Sequence, residues 1–269
     1  MMRKLAVVGA AMGVLLTAEV AGAQAHGQEF GQKGEFILSA DRLVPVLAFT
    51  ENKITNNNVN PNQTFTTTGS AISILWGNNS VFSGANAPNL GLGAGNPTAY
   101  TTPRVGFDYV IIPNLTIGGD LLVFFTLGGS VTTPAGGGRT VSTDTPSGNL
   151  FGIAPRVGYI LGLSEPLSIW LRGGFSFYHA GTSQADNACG TNPSDTNSLN
   201  VFGIDLDPQL VISPVPHFAF TAGPAFDFGF AGGASHTQPT GPTCNQTLTT
   251  SYGYSSWNIG LTAGLLGWF

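Results

Sequence analysis

The chain closes on Trp257-Asn258-Ile259-Gly260-Leu261-Thr262-Ala263-Gly264-Leu265-Leu266-Gly267-Trp268-Phe269. From Trp257 every second residue is apolar or glycine, and the positions between open with Asn258, Gly260, Thr262 and Gly264. A period of two marks a strand with one apolar and one more polar face. A soluble protein seldom ends on an exposed, half-apolar strand, because a free edge invites aggregation. A barrel closed in a membrane removes that edge by pairing its last strand with its first.

The other end of the chain agrees. Met1-Met2-Arg3-Lys4 is a short basic start, and the apolar run from Leu5 to Ala18 is too short to span a bilayer comfortably. Small-residue sites follow at Ala21-Gly22-Ala23 and Ala23-Gln24-Ala25, which predicts a secretory signal peptide over 1–23 or 1–25. The alternative is an uncleaved anchor helix. A tail over 24–34 and a barrel over 35–269 complete the predicted organisation. No long apolar helix follows the signal, so any membrane span must be made of strands.

Composition points the same way. Charged residues make up 9% of the chain, glycine occurs 38 times and aromatics reach 10%. An average soluble domain carries about 25% charged residues. The net charge of −5 gives no reason to expect nucleic-acid binding. Mean hydropathy is only +0.18, low for a helical membrane protein and natural for alternating strands. The competing reading is a secreted Gly/Ser/Thr-rich β-sandwich or passenger fragment. Its strands would show charged outward faces, and these do not.

Connections alternate short and long. Tight links occur at Ile112-Pro113-Asn114, Leu163-Ser164-Glu165-Pro166 and Ser213-Pro214-Val215-Pro216-His217. Long polar stretches run from about Glu51 to Asn96, Gly128 to Ser147, Gly181 to Asn197 and Gly232 to Ser251. Short turns on one side and long loops on the other are the periplasmic and extracellular sides of a transmembrane barrel. The fold class is therefore all-β, an antiparallel up-and-down barrel. Eight strands are predicted near 35–50, 98–111, 115–127, 148–162, 167–180, 199–213, 218–231 and 252–269. An extra alternating segment, Thr66 to Trp76, either extends the wall above the membrane or forms a hairpin that raises the count to ten.

Register then separates two faces. The strand near 218–231 turns Phe218, Phe220, Phe226, Phe228 and Phe230 to lipid and Thr221 and Asp227 inward. Tyr109, Tyr159, Phe218 and Phe269 fall near the periplasmic interface. Phe125, Phe151, Phe177, Phe202, Phe230 and Trp257 fall near the outer one, forming interfacial girdles. The same registers send Arg104, Asp108, Asp120, Arg156, Arg172, Asp205, Asp207 and Asp227 to the interior. An arginine facing lipid near midplane would cost about 2–4 kcal/mol. Glu35 and Asp41 are further candidates, and Arg42 breaks the alternation, predicting a bulge or a side chain that reaches the interface. The tetrapeptide Pro-Arg-Val-Gly occurs at 103–106 and again at 155–158, each time with its Arg inside. An eight-stranded bore is nearly filled by side chains. The charged set reads as a salt-bridge core that blocks the bore, or as a selective pore or proton path.

Signal peptide, alternation, turn–loop asymmetry and the terminal Phe269 together resemble the small outer-membrane β-barrels of Gram-negative bacteria. These include the transmembrane domain of outer-membrane protein A and the opacity-type barrels. Gly267 departs from that pattern, occupying the third position from the end, where a bulky apolar residue is usual. The resemblance implies location in the cell outer membrane. The lipid and lipopolysaccharide of that membrane, periplasmic chaperones and the barrel assembly machinery are the implied partners. Phe269 is then the signal that this machinery reads. No periplasmic domain, no cofactor and no nucleic-acid partner are expected, and a monomer is. The implied roles are structural or surface-interacting, with a small porin-like channel as the alternative.

Some barrels of this architecture edit lipid A with a His, a Ser and an acid near the outer rim. His179 with Ser183 and Asp186, and His236 in the last long loop, are the candidates here. No recognised spacing ties a His to a Ser, so no catalytic residues are assigned. No Cys/His cluster has zinc spacing. Cys189 and Cys244 fall in the third and fourth long loops, both beyond an oxidising compartment, and are expected to form a disulfide.

Overall fold

The computed structural model describes residues 30–56, 63–72, 102–135, 139–145, 147–185, 194–240 and 246–269. Their regular elements are all strands: β1 (Phe36–Asn56), β2 (Gln63–Ile72), β3 (Arg104–Ile112), β4 (Leu115–Thr126), β5 (Gly129–Ala135), β6 (Arg139–Thr145), β7 (Ser147–Ser164), β8 (Leu167–Ala185), β9 (Ser194–Val215), β10 (Phe218–Thr240) and β11 (Gln246–Trp268). Among the described residues no helix is long and apolar enough to cross a membrane.

Eight of these strands form a closed antiparallel ring in the order β1-β3-β4-β7-β8-β9-β10-β11. The ring shuts where β1 pairs with β11, from Ile37 opposite Trp268 to Asn56 opposite Tyr252. Backbone bonds continue the closure to the last residue, with Phe36 N–H donating to the Phe269 carbonyl at 3.1 Å and Phe269 N–H to the Phe36 carbonyl at 3.0 Å.

The segment 66–76 does not raise the count to ten. Its described part lies in β2, which among the described residues pairs with Leu47–Asn56 of β1, the half of that strand above its contact with β3. β2 thus widens the wall at one end. The remaining pair, β5 with β6, is a separate hairpin within the 128–147 stretch.

The strands overrun the lengths read from sequence. β10 and β11 each hold 23 residues and β9 holds 22, whereas a tilted strand crosses a bilayer in about 9–11. Residues 51–56, 181–185, 194–197, 232–240 and 246–251, assigned to loops by their polar composition, are wall instead. Their Thr residues are good strand formers once a neighbour supplies the ladder. Thr237 and Thr249 hydroxyls, cross-strand partners, lie 2.9 Å apart, and those of Ser198 and Ser235 2.8 Å. β3 begins at Arg104, later than the predicted 98. The barrel is tall on the β8–β11–β1 side, and short turns gather at its other end.

Alternation holds through the wall. In β7 the burial pattern alternates strictly from Leu150 to Ile160. The exposed face carries Val105, Phe107, Ile117, Leu121, Ile153, Phe175, Phe220 and Phe228, and Phe269 is 71% exposed. A ring this apolar outside has hydrocarbon as its solvent, and closure leaves no strand edge within it. At the turn end Phe36 packs its ring 4.9 Å from Tyr109 and 5.7 Å from Phe107. At the tall end the rings of Phe177 and Phe202 meet at 4.7 Å, tilted by 41°.

Candidate functional site: the filled bore

The interior is layered, beginning at the turn end with an apolar floor. Phe30, Ile37, Val110, Ile160, Trp170, Val211, Ala219, Leu266 and Trp268 are buried together. Phe30 precedes the first strand and reaches into the bore, its ring 5.0 Å from that of Trp268 and 5.9 Å from that of Trp170. A tight turn holds it there. Gly31 and Gly34 take φ of +98° and +97°, a region that disfavours side chains. The Glu35 carboxylate accepts the N–H groups of Gly31 (2.8 Å) and Gln32 (3.0 Å). Gly34 donates to the Val110 carbonyl and Asn114 to that of Gly31, both at 2.9 Å. Glu35 therefore caps this turn and is not part of the interior charge set.

Above the floor lies a layer of ten charged residues: Arg42, Arg104, Arg156 and Arg172 with Asp41, Asp108, Asp120, Asp205, Asp207 and Asp227. Each is between 0% and 8% exposed. Arg156 bonds Asp108 at 2.6 Å and Asp41 at 2.9 Å and stands 2.5 Å from Asp120. Arg172 bonds Asp41 at 2.8 Å. Arg42 bonds Asp227 through both terminal nitrogens, at 2.6 and 2.8 Å, and Asp207 at 2.9 Å. Arg104 bonds Asp205 at 2.7 Å and lies 3.7 Å from Asp227 and 3.8 Å from Asp120. The eight charged residues assigned inward by alternation all lie in this layer.

Asp41 and Arg42 extend the set. Neighbours on a strand point to opposite faces, yet these two are buried together, 1% and 2% exposed. The bulge expected at Arg42 is present: pairing with β11 slips between Ala40 and Val44, and Arg42 takes φ of +56°. An extra residue at a bulge re-aims a side chain. That sends Arg42 into the bore and not to the interface. Asp41 reaches β7 and β8, while Arg42 reaches β9 and β10.

The repeated Pro-Arg-Val-Gly has a steric reason. Two residues after each Arg, on the same inward face, a glycine leaves room. A Cβ at Gly106 would strike Ser39, Arg156 and Asp120, and a Cβ at Gly158 would strike Trp170 and Thr116. Trp170 then donates its Nε1–H to Thr116 Oγ1 at 3.2 Å. Its ring lies under two guanidiniums, 4.7 Å from Arg172 and 5.4 Å from Arg156, joining floor to charge layer.

A third layer closes the upper bore: Ile54, Leu122, Leu150, Ala154, Ala180, Leu199, Val201, Ala234 and Tyr254, with Phe124, Tyr178 and Tyr252 packed against them. The voids lined by Arg104, Asp120 and Arg172, and by Arg104, Tyr178 and Asn258, each have room for about one water molecule.

The described histidines bond amides or backbone. His179 Nδ1 is 2.8 Å from Asn200 Oδ1, and its ring is 5.3 Å from that of Phe151 on the outer face. Ser183 is four residues along β8, about 13 Å away at strand rise, and Asp186 lies outside the described residues. His236, on β10 and not in a loop, faces Asn197 Oδ1 at 2.7 Å and Gln238 Oε1 at 3.2 Å. His217 Nδ1 is 3.0 Å from the Trp268 carbonyl. No group of three or more metal-ligating side chains forms among the described residues. Cys189, Cys244 and the signal segment also lie outside them.

No family model matches the chain, and no curated protein does. Solved structures do. Outer membrane protein OprG of Pseudomonas aeruginosa is 12% identical, with 90% of this chain and 98% of that one covered at a TM-score of 0.48. Outer membrane protease OmpT of Escherichia coli is 11% identical, with 87% and 97% covered at 0.43. Ail, the attachment invasion locus protein of Yersinia pestis, is 10% identical, with 87% and 99% covered at 0.30. The fold described above rests on this chain's own closed register.

Sequence reasoning missed the floor. Its signal is the end of the quoted strand: at Leu265-Leu266 and Trp268-Phe269 both faces turn apolar, so the inward face there meets something apolar. Phe30 carried no such signal, because its partners come from strands distant in sequence.

Proposed function

We propose that this is an integral outer-membrane barrel with a closed bore, a non-catalytic element of the cell envelope that presents its tall end outward. The observation that carries this reading is the continuous filling of the lumen, from the Phe30–Trp170–Trp268 floor through the charge layer to the Leu122–Tyr254 layer. The tall end is the extracellular one, because short turns face the periplasm in such barrels and long loops face outward. Its polar strands, rich in Thr, Ser and Asn, are a surface for other molecules. Outer-membrane lipid and lipopolysaccharide surround the apolar belt, periplasmic chaperones deliver the chain, and the barrel assembly machinery reads the exposed Phe269. The barrel acts as a monomer. Amide partners on His179 and His236 support the non-catalytic reading, since a nucleophile needs a base within hydrogen-bond reach.

Planar-bilayer recording of the purified, folded barrel tests this. The expected result is a silent membrane, with no steady unitary openings. Reproducible ion-selective steps would overturn the closed-bore reading and make the protein a small channel.

A further inference from the structure

The ten charges divide into two lobes with the same imbalance. In one, Arg156 and Arg172 face Asp41, Asp108 and Asp120. In the other, Arg42 and Arg104 face Asp205, Asp207 and Asp227. Each lobe sets two guanidiniums against three carboxyls, leaving an excess of one negative charge if all ionise. Arg104 to Asp120, at 3.8 Å, is a contact between them in ion-pair range.

Among the described residues no further Lys or Arg is buried in the layer. The chain's nine Lys and Arg residues include, besides these four, Arg3 and Lys4 at the extreme start, Lys33, Lys53 and Arg139. Lys33 and Lys53 are exposed, and Arg139 is in the β5–β6 hairpin. β1, β3, β4, β7, β8, β9 and β10 supply the ten charges, while β11 faces the layer with Asn258 and Thr262. Tyr178 of β8 and Tyr254 of β11 stand above it. An unpaired carboxylate at this depth would be strongly unfavourable, because the voids beside the layer have room for about one water each, far short of a hydration shell.

Geometry shows where a neutralising ligand would sit. Asp205 and Asp227 are direct cross-strand partners on β9 and β10, and both side chains are buried in the layer, which sets the two carboxyls side by side. Two ionised carboxylates cannot bond one another; a proton between them can. In the other lobe Arg156 serves three carboxyls, and Asp120 Oδ1, though 2.5 Å from it, has no hydrogen bond of suitable angle.

We propose that the charge layer is a proton-binding site that holds two protons at neutral pH, one shared by Asp205 and Asp227 and one on Asp120. They enter as the strands close around the layer, each binding to a carboxylate oxygen, so that each lobe becomes neutral.

Infrared spectroscopy of the folded barrel in ester-free detergent micelles tests this directly. At neutral pH the wild type should show the carbonyl stretch of protonated carboxylic acid. The band should fall by about half in Asp227→Asn and in Asp120→Asn, and vanish in the double variant. A wild-type spectrum without that band at neutral pH would overturn the proposal, whether the layer is then ionised or neutralised by metal cations. A band undiminished in the double variant would do so too. If the variants fail to fold, the wild-type spectrum alone decides.

Discussion

Arg42 shows how much one backbone dihedral can carry. A regular strand would turn this residue to lipid, where its charge would have no partner. The bulge instead aims it across the lumen, where its two terminal nitrogens make three bonds to Asp207 and Asp227. Removing it leaves buried carboxylates unpaired, so Arg42→Ala should cost about 3–5 kcal/mol, read as a lowered urea midpoint in lipid vesicles. Arg42→Lys should recover only part of that loss, since an ammonium cannot reproduce the fork. Gly106 is the opposite case, a position defined by what is missing. Gly106→Ala would press a methyl into Ser39 and the Arg156 guanidinium, and an overpacking cost of about 1–3 kcal/mol is expected in the same unfolding assay.

Among the elements, the turn before β1 and the paired strands β9 and β10 differ most from simple wall. The turn places Phe30 under Trp170 and Trp268. Phe30→Ala should destabilise by about 3–5 kcal/mol, the range for a buried aromatic. It should leave planar bilayers silent, because the charge layer above still blocks the bore. The β9–β10 ladder breaks between the pairs Ala222–Leu210 and Phe226–Leu206, where Pro208 stands opposite Pro224. Proline donates nothing to a ladder, and Gln209 Nε2 donates to the freed Pro224 carbonyl at 3.3 Å. The tall ends of the β8–β9 and β10–β11 hairpins stand side by side, since Thr196 pairs with Thr237. In the sequence Cys189 falls between β8 and β9, and Cys244 between β10 and β11. We propose that they form a disulfide, to be seen as a cross-linked peptide in a non-reduced digest. Two separately alkylated thiols would show otherwise.

At the scale of the whole molecule, the barrel inverts the usual arrangement. Its apolar surface faces outward, and its largest charged cluster lies at the centre, sealed between two apolar layers. A closed ring leaves no strand edge in hydrocarbon, so the wall needs no hydrophobic core to be stable there. The interior is then free to be ionic, provided the charges satisfy one another. Combined replacement of Arg104, Arg156 and Arg172 by Ala would remove three of four guanidiniums. A barrel that still folds should then conduct, where the wild type does not; continued silence in a demonstrably folded variant would show that floor and upper layer seal the bore without the charges.

Alternation alone determined that the wall is made of strands, which residues meet lipid, and that the eight charges from Arg104 to Asp227 turn inward. These follow from a strict local rule, since a residue's face on a strand is set by parity. Parity held wherever the strand was regular. Three outcomes needed the tertiary structure. The height of the wall depended on whether polar Thr- and Ser-rich segments found a neighbouring ladder, and a strand's polarity does not say whether it will. The place of Arg42 depended on a bulge whose extra residue changes parity. The partners of each charge, and the insertion of Phe30 beside Trp170 and Trp268, depended on which strands the closed ring sets face to face. Sequence specified the sides of the wall; closure decided what met in the middle.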